Sequence, residues 1–149
     1  MTAAAAPVRF RAARLEAALS RDALAFGGLT LLVALMTALA WGTWGDIGAD
    51  TGYDIVAGVR VAHGHIPYVD FVYYYGPLAP FLLGFAALLG GSGLGPAVGL
   101  GIVIAWAIVG AVYALARMHA GPLGAFLAAA IVVPVAFAPP NFSFVLPHT

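Results

Sequence analysis

Along most of this chain apolar residues do not alternate with polar ones but run on in long blocks. Three stretches carry no charged side chain: residues 23–45, 71–116 and 120–146, which are 23, 46 and 27 residues long. A helix rising 1.5 Å per residue needs about 20 mostly apolar residues to cross a hydrocarbon core about 30 Å thick. The pattern therefore predicts an all-α, polytopic transmembrane protein with its first span over 23–45. The second block has to be divided, because Gly90-Gly91-Ser92-Gly93-Leu94-Gly95-Pro96 interrupts any helix. After the break, 97–116 is long enough to span. Before it, 78–90 gives only about 20 Å of helix and is read as a juxtamembrane or partly inserted helix, opened by Gly76-Pro77 and bent near Pro80. The third span is assigned to 122–140, kinked at Pro134 and closed by Pro139-Pro140, and 141–149 begins another external loop.

Between the first span and residue 78 the pattern changes from continuous to periodic. Ile55, Val56, Val59 and Ala62 recur at helical spacing within 51–63, and Gly64 and Pro67 follow as stop signals. This predicts a short amphipathic helix lying on the membrane surface. Trp41, Trp44, Tyr73, Tyr74 and Tyr75 flank the segment as interfacial aromatics do. In the second span, Gly95 and Gly99, and Ala97, Gly101 and Ala105, have small-xxx-small spacing, which permits close helix contact.

Composition removes the soluble alternative: 63% of residues are hydrophobic and 8% charged, against about 25% charged in a soluble domain. The charges then orient the chain. Six lie between Arg9 and Asp22, five between Asp46 and Asp70, and the last is Arg117. Arg9, Arg11, Arg14 and Arg21 place the basic segment 1–22 in the cytoplasm, so the acidic loop 46–77 lies outside. Arg117 returns to the cytoplasm if one crossing separates it from that loop, which gives three full spans; counting 78–90 as a span gives four and puts Arg117 outside. Reading 23–45 as a cleaved signal, with Ala38-Leu39-Ala40 as the cleavage site, is disfavoured by the length of both the apolar run and its leader. With no basic surface cluster beyond the first 21 residues, nucleic acid is not a partner. With no Cys, there is neither a thiolate nucleophile nor a disulfide.

Any chemistry therefore belongs to the loop. A carboxylate at the water–lipid boundary can have its pKa raised and act as a general base. Asp50 precedes the helix and is the better placed; Asp54 makes a capping box with Thr51, three residues before it. Asp46 keeps the loop wet, and Asp70 is a turn residue bonding nearby backbone N–H groups. Asp46 and Asp50 would share a face, as a hard divalent ion requires, only in a helix that Gly45 and Gly48 oppose, so no metal or cofactor is assigned. His63 and His65, two apart, do not reach one ion from a helix.

The string DTGYDIVAGVRVAHGHIPYVDFVYYYGPLAPFL resembles the first external loop of GT-C membrane glycosyltransferases, which include protein mannosyltransferases, lipid A aminoarabinose transferases and oligosaccharyltransferase catalytic subunits. The matching positions are Asp50, Tyr53, Ala57, Gly64, Pro67-Tyr68, Asp70 and Gly76-Pro77-Leu78. Two positions depart: Thr51 stands where Glu often follows the Asp, and Tyr75-Gly76-Pro77 replaces a Lys-Pro-Pro, so Arg60, His63 or a residue on a missing part of the chain would have to supply the missing cation. The resemblance implies a polyprenyl-phosphate-linked sugar donor, an unidentified acceptor, and an inverting transfer at the external face of a bacterial inner or plasma membrane. It implies Asp50 as catalytic base and Tyr53, Arg60, His63 and Asp70 as substrate-binding residues. Such enzymes have more spans, so the chain is expected to be the N-terminal part of a longer protein, inactive without the missing C-terminal transmembrane helices. The competing expectations are a small non-enzymatic membrane helper or assembly subunit and, behind it, a transporter, which would need an ionisable residue within a span.

Overall fold

The computed structural model describes residues 8–39 and 50–136 of the chain, with side chains over 20–39 and 51–135. These residues form five helices and no strand: α1 (Val8–Leu39), α2 (Asp50–Ala62), α3 (Leu78–Gly90), α4 (Leu94–Arg117) and α5 (Pro122–Ala136). Trp41, Trp44, Asp46 and the segment 141–149 lie outside the described residues, as does the Asp50 side chain.

Two helices are long and apolar enough to cross a bilayer, the Ser20–Leu39 part of α1 and Leu94–Arg117. The helix of the first span starts upstream of it, at Val8, because Arg, Ala, Leu and Glu between residues 9 and 19 are all strong helix formers. The sequence break before α4 shrinks to Gly91–Gly93; Pro96 falls in the first turn of α4, where its missing N–H leaves nothing unpaired. Pro80 is likewise in the first turn of α3, which runs unbroken from Leu78 to Gly90. Described α5 has 15 residues, about 22 Å of helix, with Pro122 at its first position and Pro134 inside it.

Helices α1, α4 and α5 pack as a trio. Their common core is Leu29 and Val33 of α1, Val98, Ala105, Val109 and Tyr113 of α4, and Ala125, Ala129 and Val133 of α5. The small residues do what their spacing suggested, but selectively. Ala97, Gly101 and Ala105 are buried against neighbours, whereas a Cβ added to Gly95 or Gly99 would meet nothing within 4 Å.

One end of the trio is clamped by charge. Arg117 Nε and Tyr113 Oη donate to Asp22 Oδ1 at 2.8 and 2.6 Å, and Arg117 Nη1 also donates to the Ala120 carbonyl at 2.9 Å. The edge of the Tyr113 ring meets Phe26 at 4.7 Å. Asp22 opens the apolar part of α1 and Arg117 closes α4, so the two helices are antiparallel, and the Trp106 indole donating to Thr30 Oγ1 keeps the same register. In the sequence Arg117 serves only to orient the chain; the fold joins it to Asp22 across 95 positions.

At the other end of α4, α2 and α3 form a tight pair. Gly58 and Gly84 face each other at the crossing: a Cβ on Gly58 would stand 2.4 Å from Leu83 Cβ, and one on Gly84 would stand 2.8 Å from Val61 Cγ1. Ile55 and Val59 of α2 meet Leu83 and Ala87 of α3 and Pro96 and Ala97 of α4. The apolar face of α2, expected to float on lipid, is thus covered by protein in part: Ile55 and Val59 are half-buried, and Val56 is exposed. The unpartnered apolar stripe belongs to α3 instead: Leu78, Phe81, Phe85 and Leu88 point outward on one face. Ala97, against this pair, and Arg117, in the clamp, are 20 positions apart on α4, about 30 Å of helix.

Candidate functional site

The α2–α3 unit is built around a chain reversal. Helix α2 stops where Gly64 takes a positive φ of 89°, and its N–H reaches back to the Val61 carbonyl at 2.9 Å. A turn follows in which Asp70 and Ile66 bond reciprocally: the Ile66 N–H donates to Asp70 Oδ2 at 2.7 Å, and the Asp70 N–H to the Ile66 carbonyl at 2.9 Å. Tyr68 sits between them with φ of 67°, an uncommon conformation for a bulky residue, costing about 1–2 kcal/mol and held by its N–H to the Phe71 carbonyl. The Tyr68 hydroxyl also donates to the Tyr75 carbonyl.

From there residues 71–75 run back along α2 and stack tyrosines on it. Tyr53 and Tyr73 lie parallel with centroids 5.7 Å apart, Tyr68 and Tyr75 meet the Tyr73 ring edge-on, and the Tyr53 hydroxyl donates to the Val72 carbonyl. Under this layer lies Asp54, 3% exposed, whose Oδ1 accepts the Tyr73 hydroxyl at 2.8 Å. Burial raises the Tyr73 phenol far above its ordinary range, and the bond to Asp54 adds to that; burial likewise raises Tyr53. Both phenols therefore stay protonated near neutral pH.

The capping box expected of Thr51 and Asp54 does not form. Helix α2 already includes Asp50, the Thr51 hydroxyl is buried with no hydrogen-bond partner among the described residues, and Asp54 is turned inward to Tyr73. The turn role expected of Asp70 is met in the bond to Ile66.

The expected site residues separate into two groups. Asp50 and Tyr53 belong to the first turn of α2. Arg60 lies ten residues on, about 15 Å along the helix, where it complements the C-terminal helix dipole and its guanidinium covers the Phe71 ring at 5.4 Å. Asp70 immediately precedes Phe71, and His63 follows Arg60 by three residues with Nδ1 2.7 Å from the Val59 carbonyl. So Arg60, His63 and Asp70 gather near the C-terminal end of α2. Among the described residues no three His, Asp or Glu are placed to hold a metal ion.

Sequence reasoning did not single out Tyr73 as a partner for Asp54. The available signal was that two polar side chains of one loop, 19 positions apart, both sat among apolar neighbours. Comparison with protein-family models, with curated proteins and with solved structures finds no match.

Proposed function

We propose that this chain is part of a membrane-embedded glycosyltransferase of the GT-C type, taking a sugar from a polyprenyl-phosphate donor at the external face, with Asp50 as general base toward the acceptor. The observation that carries the proposal is the gathering of Asp50, Tyr53, Pro67-Tyr68, Asp70 and Gly76-Pro77-Leu78 into one α2–turn–α3 unit. That unit abuts the end of α4 about 30 Å from Arg117, close to the thickness of a hydrocarbon core. The antiparallel α1 and α4 support a topology in which α2 and α3 contribute no net crossing, and α5 belongs to the third span. In this reading the outward stripe of α3 wets the lipid and holds α2 at its edge. The base waits at the N-terminal end of α2, and Arg60, further along, holds the phosphate of the bound donor.

One finding favours the rival reading of a non-enzymatic helper or assembly subunit. Tyr53, His63 and Asp70, expected to hold substrate, spend hydrogen bonds on the Val72 carbonyl, the Val59 carbonyl and the Ile66 N–H. The two are separated by Asp50→Asn in the polypeptide that contains this chain, assayed for transfer from a labelled lipid-linked sugar. Loss of transfer with membrane insertion intact supports the enzyme; unchanged transfer removes Asp50 from the mechanism.

A further inference from the structure

At the clamped end of the trio a groove of about 510 Å³ opens between α1 and α5. Its walls are Leu24, Ala25 and Gly28 of α1 with Leu123 and Phe126 of α5, and Arg21 and Pro122, where the apolar parts of the two helices begin, mark its mouth. The floor is Gly28, where an added Cβ would stand 3.0 Å from the Phe126 ring. Leu24 and Leu123 are 76% and 71% exposed, so the groove opens outward and not into the core.

Charge at the mouth is unbalanced. Asp22, the neighbouring carboxylate, is committed to Arg117 and Tyr113, and among the described residues Arg21 has no ion-pair partner. A guanidinium above an apolar trough is complementary to a molecule with an anionic head and a hydrocarbon tail. A further helix is a poor occupant: at a width of about 10 Å, little more than one helical turn fills this volume. Arg9, Arg11 and Arg14 precede the site on the same helix and favour an anionic leaflet there.

We infer that the α1–α5 groove holds one anionic phospholipid, with its phosphate on Arg21 and an acyl chain laid over Gly28 against Phe126. The inference rests on the membrane-embedded part of the reading above and not on sugar transfer. Its role is to seal the seam between α1 and α5 beside the Asp22–Arg117 clamp.

The test uses the whole chain in bilayers of phosphatidylcholine and phosphatidylglycerol at three to one, extracted into mild detergent and read by native mass spectrometry. Wild type is expected to retain one phosphatidylglycerol per chain in preference to phosphatidylcholine. Arg21→Gln should lower that retention by about fivefold, as removal of one interfacial cation does, and Arg21→Lys should restore most of it. The triple variant Arg9→Gln, Arg11→Gln, Arg14→Gln should keep the bound lipid. Equal retention of both lipids, indifference to Arg21→Gln, or loss in the triple variant alone would overturn the site. Displacement by millimolar glycerol phosphate, which lacks a tail, would overturn it too. Alkaline extraction of the membranes separates the two failures. A chain that washes out refutes the membrane reading and the lipid site together, whereas an integral chain without lipid preference refutes the lipid site alone.

Discussion

The Tyr73 hydroxyl donates to Asp54 Oδ1 at 2.8 Å and so ties the segment leading into α3 to the inner face of α2. Around that bond the turn at Asp70, the tyrosine stack and the Gly58–Gly84 crossing make one unit out of residues that read in sequence as an exposed loop.

Removing the bond should loosen that unit. Tyr73→Phe keeps the ring stack but takes a donor from a buried carboxylate, at a cost of about 1–3 kcal/mol. The expected outcome is faster proteolysis within 63–77 and a lower unfolding temperature in detergent, with α1, α4 and α5 unaffected. The pH dependence follows from the raised phenol. A folded pKa above the unfolded value of about 10 contributes stability that is fully present below pH ~10 and is lost as the pH rises further. Titration of tyrosinate absorbance should therefore show Tyr53 and Tyr73 ionising late, Tyr73 last and together with loss of the unit's helicity, and Tyr73→Phe should abolish that last step. If all the tyrosines titrate together near their ordinary value, the burial assigned to Tyr73 is wrong.

Close approach of α2 and α3 rests on glycine. Gly58→Ala puts a methyl 2.4 Å from Leu83 Cβ and 3.0 Å from the Leu83 backbone, so the helices must separate. Overpacking of this kind costs about 1–3 kcal/mol. Gly99→Ala, in the same type of sequence but with nothing within 4 Å, should instead gain up to about 1 kcal/mol from helix propensity. Thermal unfolding of the two variants side by side checks the contrast; equal effects would mean that the crossing is looser than described.

Much of this architecture was legible beforehand, and where it was not the reason is physical. The bounds of α3 followed from Pro77, the glycine break and an unbroken apolar run, and α2 from its periodicity and the Gly64 stop. These are local signals. What covers each face is not local: the apolar face of α2 carries the same residues whether it meets lipid or α3, and only the Gly58–Gly84 match selects the latter. Asp22 and Arg117 likewise looked like terminal charges, because a pair 95 positions apart leaves no periodic trace. For the candidate site, the residues of the resemblance were visible singly, but their division between the two ends of α2 required the helix itself.

Because the chain contains no cysteine, single-cysteine variants report topology without background. Val69, 77% exposed in the turn after α2, and Met118, 74% exposed just past α4, mark the two ends of the unit-plus-trio. With the membrane-embedded arrangement proposed above, an impermeant maleimide should label Val69→Cys in intact cells and Met118→Cys only after lysis. Labelling of both from outside would mean that α3 makes an additional crossing, and the four-span alternative would replace the three-span one.

The two ends of α2 should also separate kinetically in the transfer reaction proposed for the polypeptide that contains this chain. Asp50 and Arg60 are about 15 Å apart along the helix, so each should govern a different substrate, Asp50 the acceptor and Arg60 the lipid-linked donor. Arg60, whose guanidinium lies over Phe71 and has no ion-pair partner among the described residues, is the cation available to a phosphate. Arg60→Gln should raise KM for the lipid-linked donor about tenfold, the effect of losing one charge-assisted hydrogen bond, while leaving kcat within a few-fold. Asp50→Asn should do the reverse, because a general base acts in the transition state and not in donor binding. His63→Ala is a useful control: its Nδ1 is already engaged by the Val59 carbonyl, so donor affinity should barely change. If Arg60→Gln leaves KM untouched and His63→Ala raises it, the phosphate lies on the imidazole side of the turn. The guanidinium would then serve only to close the helix over Phe71.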